Sequence, residues 1–299
     1  MIHTHLSAAK RALIAVIALL ASTGADAQNF FDDTILGVDL GNASGGNTGV
    51  HRAWAIFALS GGVTISDASL SAQPDVKGNV GLGGTGNLTM TLSQISGTVY
   101  NETGSYNGNG TVTGGIVTDA SYVNTAAKNA TTASNTAAGL STTTVGLSVF
   151  GSTPASVLSN TPAAFLLNNV PGGITDNGHS GTYVLNLNDL ILSGAGAIFT
   201  ITGTTSTNYV INVNRYLGLS SGAQIALSGG LTPRNVLFNV KSTSTNDVGF
   251  GGGASLSGIL LAPNRNVKLT GAATIVGEVI GKSVSLSGSS RVINPVISP

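Results

Sequence analysis

Between residues 256 and 288 the chain writes one pattern of apolar and polar positions twice. Leu256, Gly258 and Leu260 alternate with Ser257, Ile259 and Leu261, and after Ala262-Pro263-Asn264 come Val267-Lys268-Leu269-Thr270. Then Ile275, Gly277 and Val279 alternate with Val276, Glu278 and Ile280, and after Gly281-Lys282 come Val284-Ser285-Leu286-Ser287. The glycines recur after 19 residues and the valines after 17. That period is too short for a helix pair and suits one coil of a β-solenoid. Alternate residues of a strand face opposite sides. Leu256, Leu260, Val267 and Leu269 therefore form inward rows with Ile275, Val279, Val284 and Leu286. Lys268, Thr270, Ser285 and Ser287 point outward on a solvated wall and are the candidate contact residues. The preceding strands carry apolar residues on both faces, as a strand does when a further element covers its outer side.

Earlier segments repeat the strand pattern. Ala53 to Val63, with the one tryptophan Trp54, followed by Val63-Thr64-Ile65, and Leu88-Thr89-Met90-Thr91-Leu92 are strands between glycine turns, and strands resume from Thr182 onward. The period changes at Asp119, a good helix N-cap. From there Val123, Ala126, Ala127, Ala130, Ala133, Ala137 and Leu140 recur at three and four residues, until Gly139 and a Ser/Thr run end the pattern. A helix over about 119–140 is the expected cover for the doubly apolar strands, packing on Ile259, Leu261, Val276 and Ile280; a flexible Ala/Thr/Asn linker is the alternative. Residues 141–181, broken by Pro154, Pro162 and Pro171, give little pattern. The expected fold is mostly β: a β-helix (β-solenoid) with one long flanking α-helix.

Composition narrows the class. The 299 residues include 42 glycines, no cysteine and only 8% charged residues, yet 41% are hydrophobic, too many for a disordered chain. The formal net charge is zero and the cations are scattered, which excludes nucleic-acid binding by phosphate neutralisation. Lys10 and Arg11, the apolar run Ala12 to Ala21 and Ala25-Asp26-Ala27 make a signal peptide over 1–27, with an uncleaved anchor as the alternative. The mature chain is then one domain over 28–299, exported to the cell surface or medium of a bacterium, with no integral membrane segment after cleavage.

Candidate chemistry is sparse. His51 and His179 lie far apart in Gly/Asn-rich loops with no second ligand at metal spacing, and Asp32-Asp33 is the one carboxylate pair. No G-x-S-x-G elbow with Asp and His partners is present, and Gly251-Gly252-Gly253-Ala254-Ser255 lacks the aspartate of calcium-binding solenoids. No enzyme, cofactor or metal is expected. Glu278 stands on an apolar strand, either paired with Lys282 or Lys128 or in water at the helix edge.

The segments Asp75-Val76-Lys77-Gly78-Asn79-Val80-Gly81-Leu82-Gly83-Gly84, Arg234-Asn235-Val236-Leu237-Phe238-Asn239-Val240, Ser257 to Asn264 and Gly277 to Ser283 resemble the choice-of-anchor A family of exported bacterial surface proteins. The resemblance implies a β-helix with a long flanking helix and a varied C-terminal anchor. The end at Ile297-Ser298-Pro299 departs from it, with no sortase motif, terminal membrane segment or basic tail. More distantly, the strand-helix-strand order resembles the ice-binding β-helix fold. Two function classes follow. The first is a structural or adhesive protein of the surface or matrix, partnered by a matrix component or by itself through walls or ends. The alternative is a ligand-binding β-helix such as an ice-binding protein.

Overall fold

The computed structural model describes residues 54–67, 73–143, 146–151 and 163–295. The expected signal peptide, Asp32-Asp33 and His51 lie outside the described residues. The described strands belong to one 22-stranded sheet whose ladders run along three walls. Every ladder is parallel except that of β11 (Ser148–Gly151) with β13 (Gly172–Thr175).

The first wall stacks β14 (Gly181–Ser193), β16 (Thr207–Ser220), β18 (Val236–Val240), β20 (Ser255–Thr270), β21 (Thr274–Ser287), β1 (Trp54–Ala58), β4 (Asn79–Leu82), β7 (Val99–Asn101) and β10 (Ile116–Thr118). The second stacks β12 (Ala163–Asn168), the later halves of β14 and β16, β19 (Val248–Gly251), the later halves of β20 and β21, β2 (Val63–Ser66), β5 (Leu88–Thr91) and β8 (Tyr106–Gly108). The third stacks β13, β15 (Ile198–Thr202), β17 (Gln224–Ser228), the first residues of β20 and β21, β22 (Arg291–Ile293), β3 (Val76–Lys77), β6 (Gln94–Ile95) and β9 (Thr111–Val112).

Coil order in space is not chain order. The chain enters mid-stack at β1, beside β21, and builds to one end at β10. Helix α1 (Ala120–Ala138) carries it back over the first wall, and the coils from β12 onward return to the entry point. The 19 residues of α1 span about 28 Å at about 1.5 Å each, matching the six strand spacings of about 4.8 Å from β7 to β16. Asp119 caps the helix, its carboxylate accepting from the Tyr122 amide at 3.0 Å. Val123, Ala126, Ala130, Ala133 and Ala137 face the sheet, and their small size lets the backbone lie close.

Beneath the helix are Val184, Val210, Leu237, Ile259, Leu261 and Ile280, with Trp54, Phe57 and Tyr100 near its N-terminus. Tyr122 stacks on Trp54 at 5.3 Å between ring centroids. Val276 corrects the expectation that placed it here. Gly277, at φ 137°, turns the strand between Val276 and Ile280, so Val276 belongs to the third wall while Ile280 lies under the helix. Polar contacts also join helix to wall. Ser134 Oγ donates to Asn239 Oδ1 at 2.6 Å, and Asn212 Nδ2 donates to the Ala137 carbonyl at 2.8 Å.

The inward rows are as the repeat predicts. Leu256 registers with Ile275, Leu260 with Val279, Val267 with Val284 and Leu269 with Leu286, and all eight are at most 1% exposed. The different offsets of glycine and valine come from the corner between the walls. Ala262 to Asn266 in one coil answers Gly281 to Ser283 in the next, so β20 bulges there. The bulge turns Arg265 inward, where it is 1% exposed and its guanidinium donates to the carbonyls of Asn246 (2.5 Å) and Arg215 (2.8 Å) in the two preceding coils. Burial lowers its pKa, opposed by the nearby Asp247 carboxylate.

Candidate ligand-binding wall

Helix α1 covers the first wall and leaves the second open. The strands of the second wall alternate apolar-in and polar-out, so the outward residues of successive coils form columns set by the ladder register. Lys268 registers with Ser285, Ser285 with Thr64, and Thr64 with Thr89. Two residues along, Thr270 stands beside Ser287, Ser287 registers with Ser66, and Ser66 with Thr91. The four residues chosen from the sequence are thus adjacent, and the structure adds four more hydroxyls to them.

Those four, Thr64, Ser66, Thr89 and Thr91, were missed as site residues because they lie some 200 residues away in the chain. The signal was present: Val63-Thr64-Ile65-Ser66 and Leu88-Thr89-Met90-Thr91 repeat the apolar-hydroxyl alternation of Val284-Ser285-Leu286-Ser287. Outward neighbours in one strand are about 6.6 Å apart and in neighbouring coils about 4.8 Å. Seven short hydroxyl side chains of similar height, with Lys268 at one margin, therefore make a regular grid. Thr64, Thr89 and Thr91 are exposed; Ser66, Ser285, Ser287 and Thr270 are half-buried by their neighbours. The inward Val63, Ile65, Leu88 and Met90 are buried in the core and hold this spacing.

Toward β12 the wall changes character. The column of Lys268 continues through Gly249, Gly218 and Ile191, and that of Thr270 through Gly251, Ser220 and Ser193. Where Gly249 and Gly251 carry no side chain, the surface drops into a notch of about 650 Å³. The ring of Tyr216 leans over Gly218, occupying the space a side chain there would fill.

Other candidate groups fall elsewhere. Glu278 is neither in water nor on Lys282. It is 3% exposed, and Asn294 Nδ2 donates to its Oε1 at 3.3 Å and to the Trp54 carbonyl at 2.7 Å. The insertion of β1 beside β21 buries it, an arrangement invisible from the local sequence. His179 is exposed in the turn before β14. Among the described residues no three His, Cys, Asp or Glu side chains cluster as a metal site, and no helix is long and apolar enough to cross a membrane.

A family model described as "Putative Ice-binding-like adhesive domain" matches residues 38–292. An ice-binding protein from the Antarctic ascomycete Antarctomyces psychrotrophicus is 20% identical, with a TM-score of 0.51 over 86% of this chain and 98% of that one. A glycosylated ice-binding protein from an Arctic yeast is 20% identical, TM-score 0.49, covering 82% of this chain and 92% of that one. An ice-binding protein from an Antarctic biological consortium is 18% identical, TM-score 0.46, covering 79% and 85%. The ascomycete likeness is one of fold. A comparison with curated proteins gives no match. Of the two resemblances read from the sequence, these comparisons carry the ice-binding one and do not show choice-of-anchor A. With most of its length matched, this chain belongs to the family of ice-binding-like adhesive domains.

Proposed function

We propose that this protein is an exported β-helix that binds ice through the second wall, and so holds whatever carries it to an ice surface. The observation that carries the reading is the hydroxyl grid: Thr64, Ser66, Thr89, Thr91, Thr270, Ser285 and Ser287 on neighbouring coils at strand spacing. A surface ligand made of water offers no charge and no pocket-sized group. What recognises it is a rigid array of short hydroxyls interleaved with methyl groups, which orders water at a fixed repeat. Family membership supports the same ligand and an adhesive role, and the basic, apolar and A-x-A elements of residues 1–27 support export. The sequence resemblance to choice-of-anchor A proteins adds an expectation of attachment at a bacterial surface or matrix. No catalytic step, cofactor or nucleic acid belongs to this reading.

The test is thermal hysteresis and ice-recrystallisation inhibition by the purified mature chain. Thr89→Lys, which puts a long charged side chain into the β5 row of the grid beside Thr64 and Thr91, is expected to abolish both while the melting temperature stays within a degree or so of the parent, since Thr89 is exposed. A parent protein without either activity, or a Thr89→Lys variant that keeps them, refutes the reading.

A further inference from the structure

The notch interrupts the hydroxyl grid, and its lining differs in kind from the rest of the wall. Its floor is Gly249 and Gly251, open because a Cβ at Gly249 would meet only the Tyr216 hydroxyl, at 3.5 Å. On one side stand the Tyr216 ring and Ile191; on the other, Lys268 and Thr270; Asp247 closes the corner end. Tyr216 and Lys268 belong to coils two steps apart, about 9.6 Å at the usual strand spacing. With the thickness of the flanking side chains removed, that leaves the width of one saturated six-membered ring.

The chemistry narrows the ligand further. A flat aromatic ring at one wall attracts the C–H face of a saturated ring, while the rim presents a carboxylate, an ammonium and a hydroxyl within the same slot. Asp247 accepts from Asn266 Nδ2 at 3.3 Å, which fixes its carboxylate at the corner. An anionic ligand meets Asp247 and a cationic one meets Lys268, so neither sign is favoured. A neutral molecule dense in hydroxyl groups satisfies both, donating to Asp247 and accepting from Lys268. We propose that the notch is a saccharide site that takes one pyranose unit of a neutral polysaccharide, its C–H face against Tyr216 and its hydroxyls between Asp247 and Lys268. The site is independent of the ice reading and gives the same wall a second, polymeric ligand.

Saturation-transfer NMR on the mature chain tests this, with maltose, cellobiose, lactose and N,N′-diacetylchitobiose as probes and a proline-rich peptide, which also stacks on tyrosine, as the competing class. At least one disaccharide is expected to show transfer, strongest at ring C–H protons, with affinity falling at least ten-fold in Tyr216→Ala and in Gly249→Val. Gly249→Val fills the slot from a strand position with room for a Cβ, and an unchanged melting curve verifies the fold; Lys268→Ala, at an exposed residue, is the second variant and is expected to weaken binding. Thr89→Lys, three coils from Lys268, is expected to lose ice activity and keep saccharide binding, which separates the two sites. Transfer from none of the disaccharides, transfer from the peptide alone, or saccharide binding that survives Gly249→Val in a folded protein overturns the proposal.

Discussion

Strands β20 and β21 each run through all three walls, and their stretches in the first and second walls differ on one side only. Inward, Leu260 and Val279 under the helix are as buried as Leu269 and Leu286 behind the hydroxyl grid. Outward, Ile259, Leu261 and Ile280 meet α1, whereas Lys268, Thr270, Ser285 and Ser287 meet solvent. Stacking of coils is thus the work of the inward rows, the same on both walls. The outward positions decide only what lies against the stack: the protein's own helix on one wall, an external surface on the other.

Breaking the covered wall is expected to have the largest effect. Leu261→Asp places a carboxylate between sheet and helix where the residue is fully buried. Burying an unpaired charge costs several kcal/mol, against a total stability of about 5–15 kcal/mol for a domain. Loss of the helical circular-dichroism signal or outright unfolding is expected, and an unchanged urea midpoint would contradict the packing. Next comes an inward row: Leu269→Ala is expected to cost about 2–5 kcal/mol, read as a lower unfolding midpoint. Ser134→Ala removes the hydroxyl that donates to the buried Asn239. A cost of about 1–3 kcal/mol is expected, with faster amide exchange in the last turns of α1. The smallest effect belongs to Thr270→Ala on the open wall, within about 0.5 kcal/mol. If Thr270→Ala proved as costly as Leu269→Ala, the division into inward and outward sides would fail.

The parts legible in the sequence were those where neighbours in space are neighbours in the chain. The repeat at 256–288 stated its own register, and the alanine stripe from Val123 to Ala137 stated the face of the helix. The apolar pattern of Ile259, Leu261 and Ile280 pointed to the wall under that helix but not to Asn212 and Asn239, which also sit in it. Asn239 Nδ2 donates to Asn212 Oδ1 at 2.8 Å and to the Ser134 carbonyl at 3.0 Å, and an asparagine column of this kind needs the helix in place before its partners exist. Val276 was assigned to the wrong wall because alternation continues through a glycine corner that changes direction without changing period. The hydroxyls of β2 and β5 were out of reach because β2 joins β21 across nearly the whole chain and carries β5 with it. Residues 163–175 hold two strands that the flanking Pro162 and Pro171 and the Gly172-Gly173 pair had concealed.

The hydrogen bond from Asn294 to the Trp54 carbonyl places the first described strand and the last described residues side by side, in the middle of the stack. For a domain that adheres, the same meeting sets the path of tension. A pull applied between Trp54 and Asn294 crosses one seam, where β1 lies along β21 and α1 straps the coils on either side, and the coils bearing Thr91 to one side and the notch to the other stay outside the line of force.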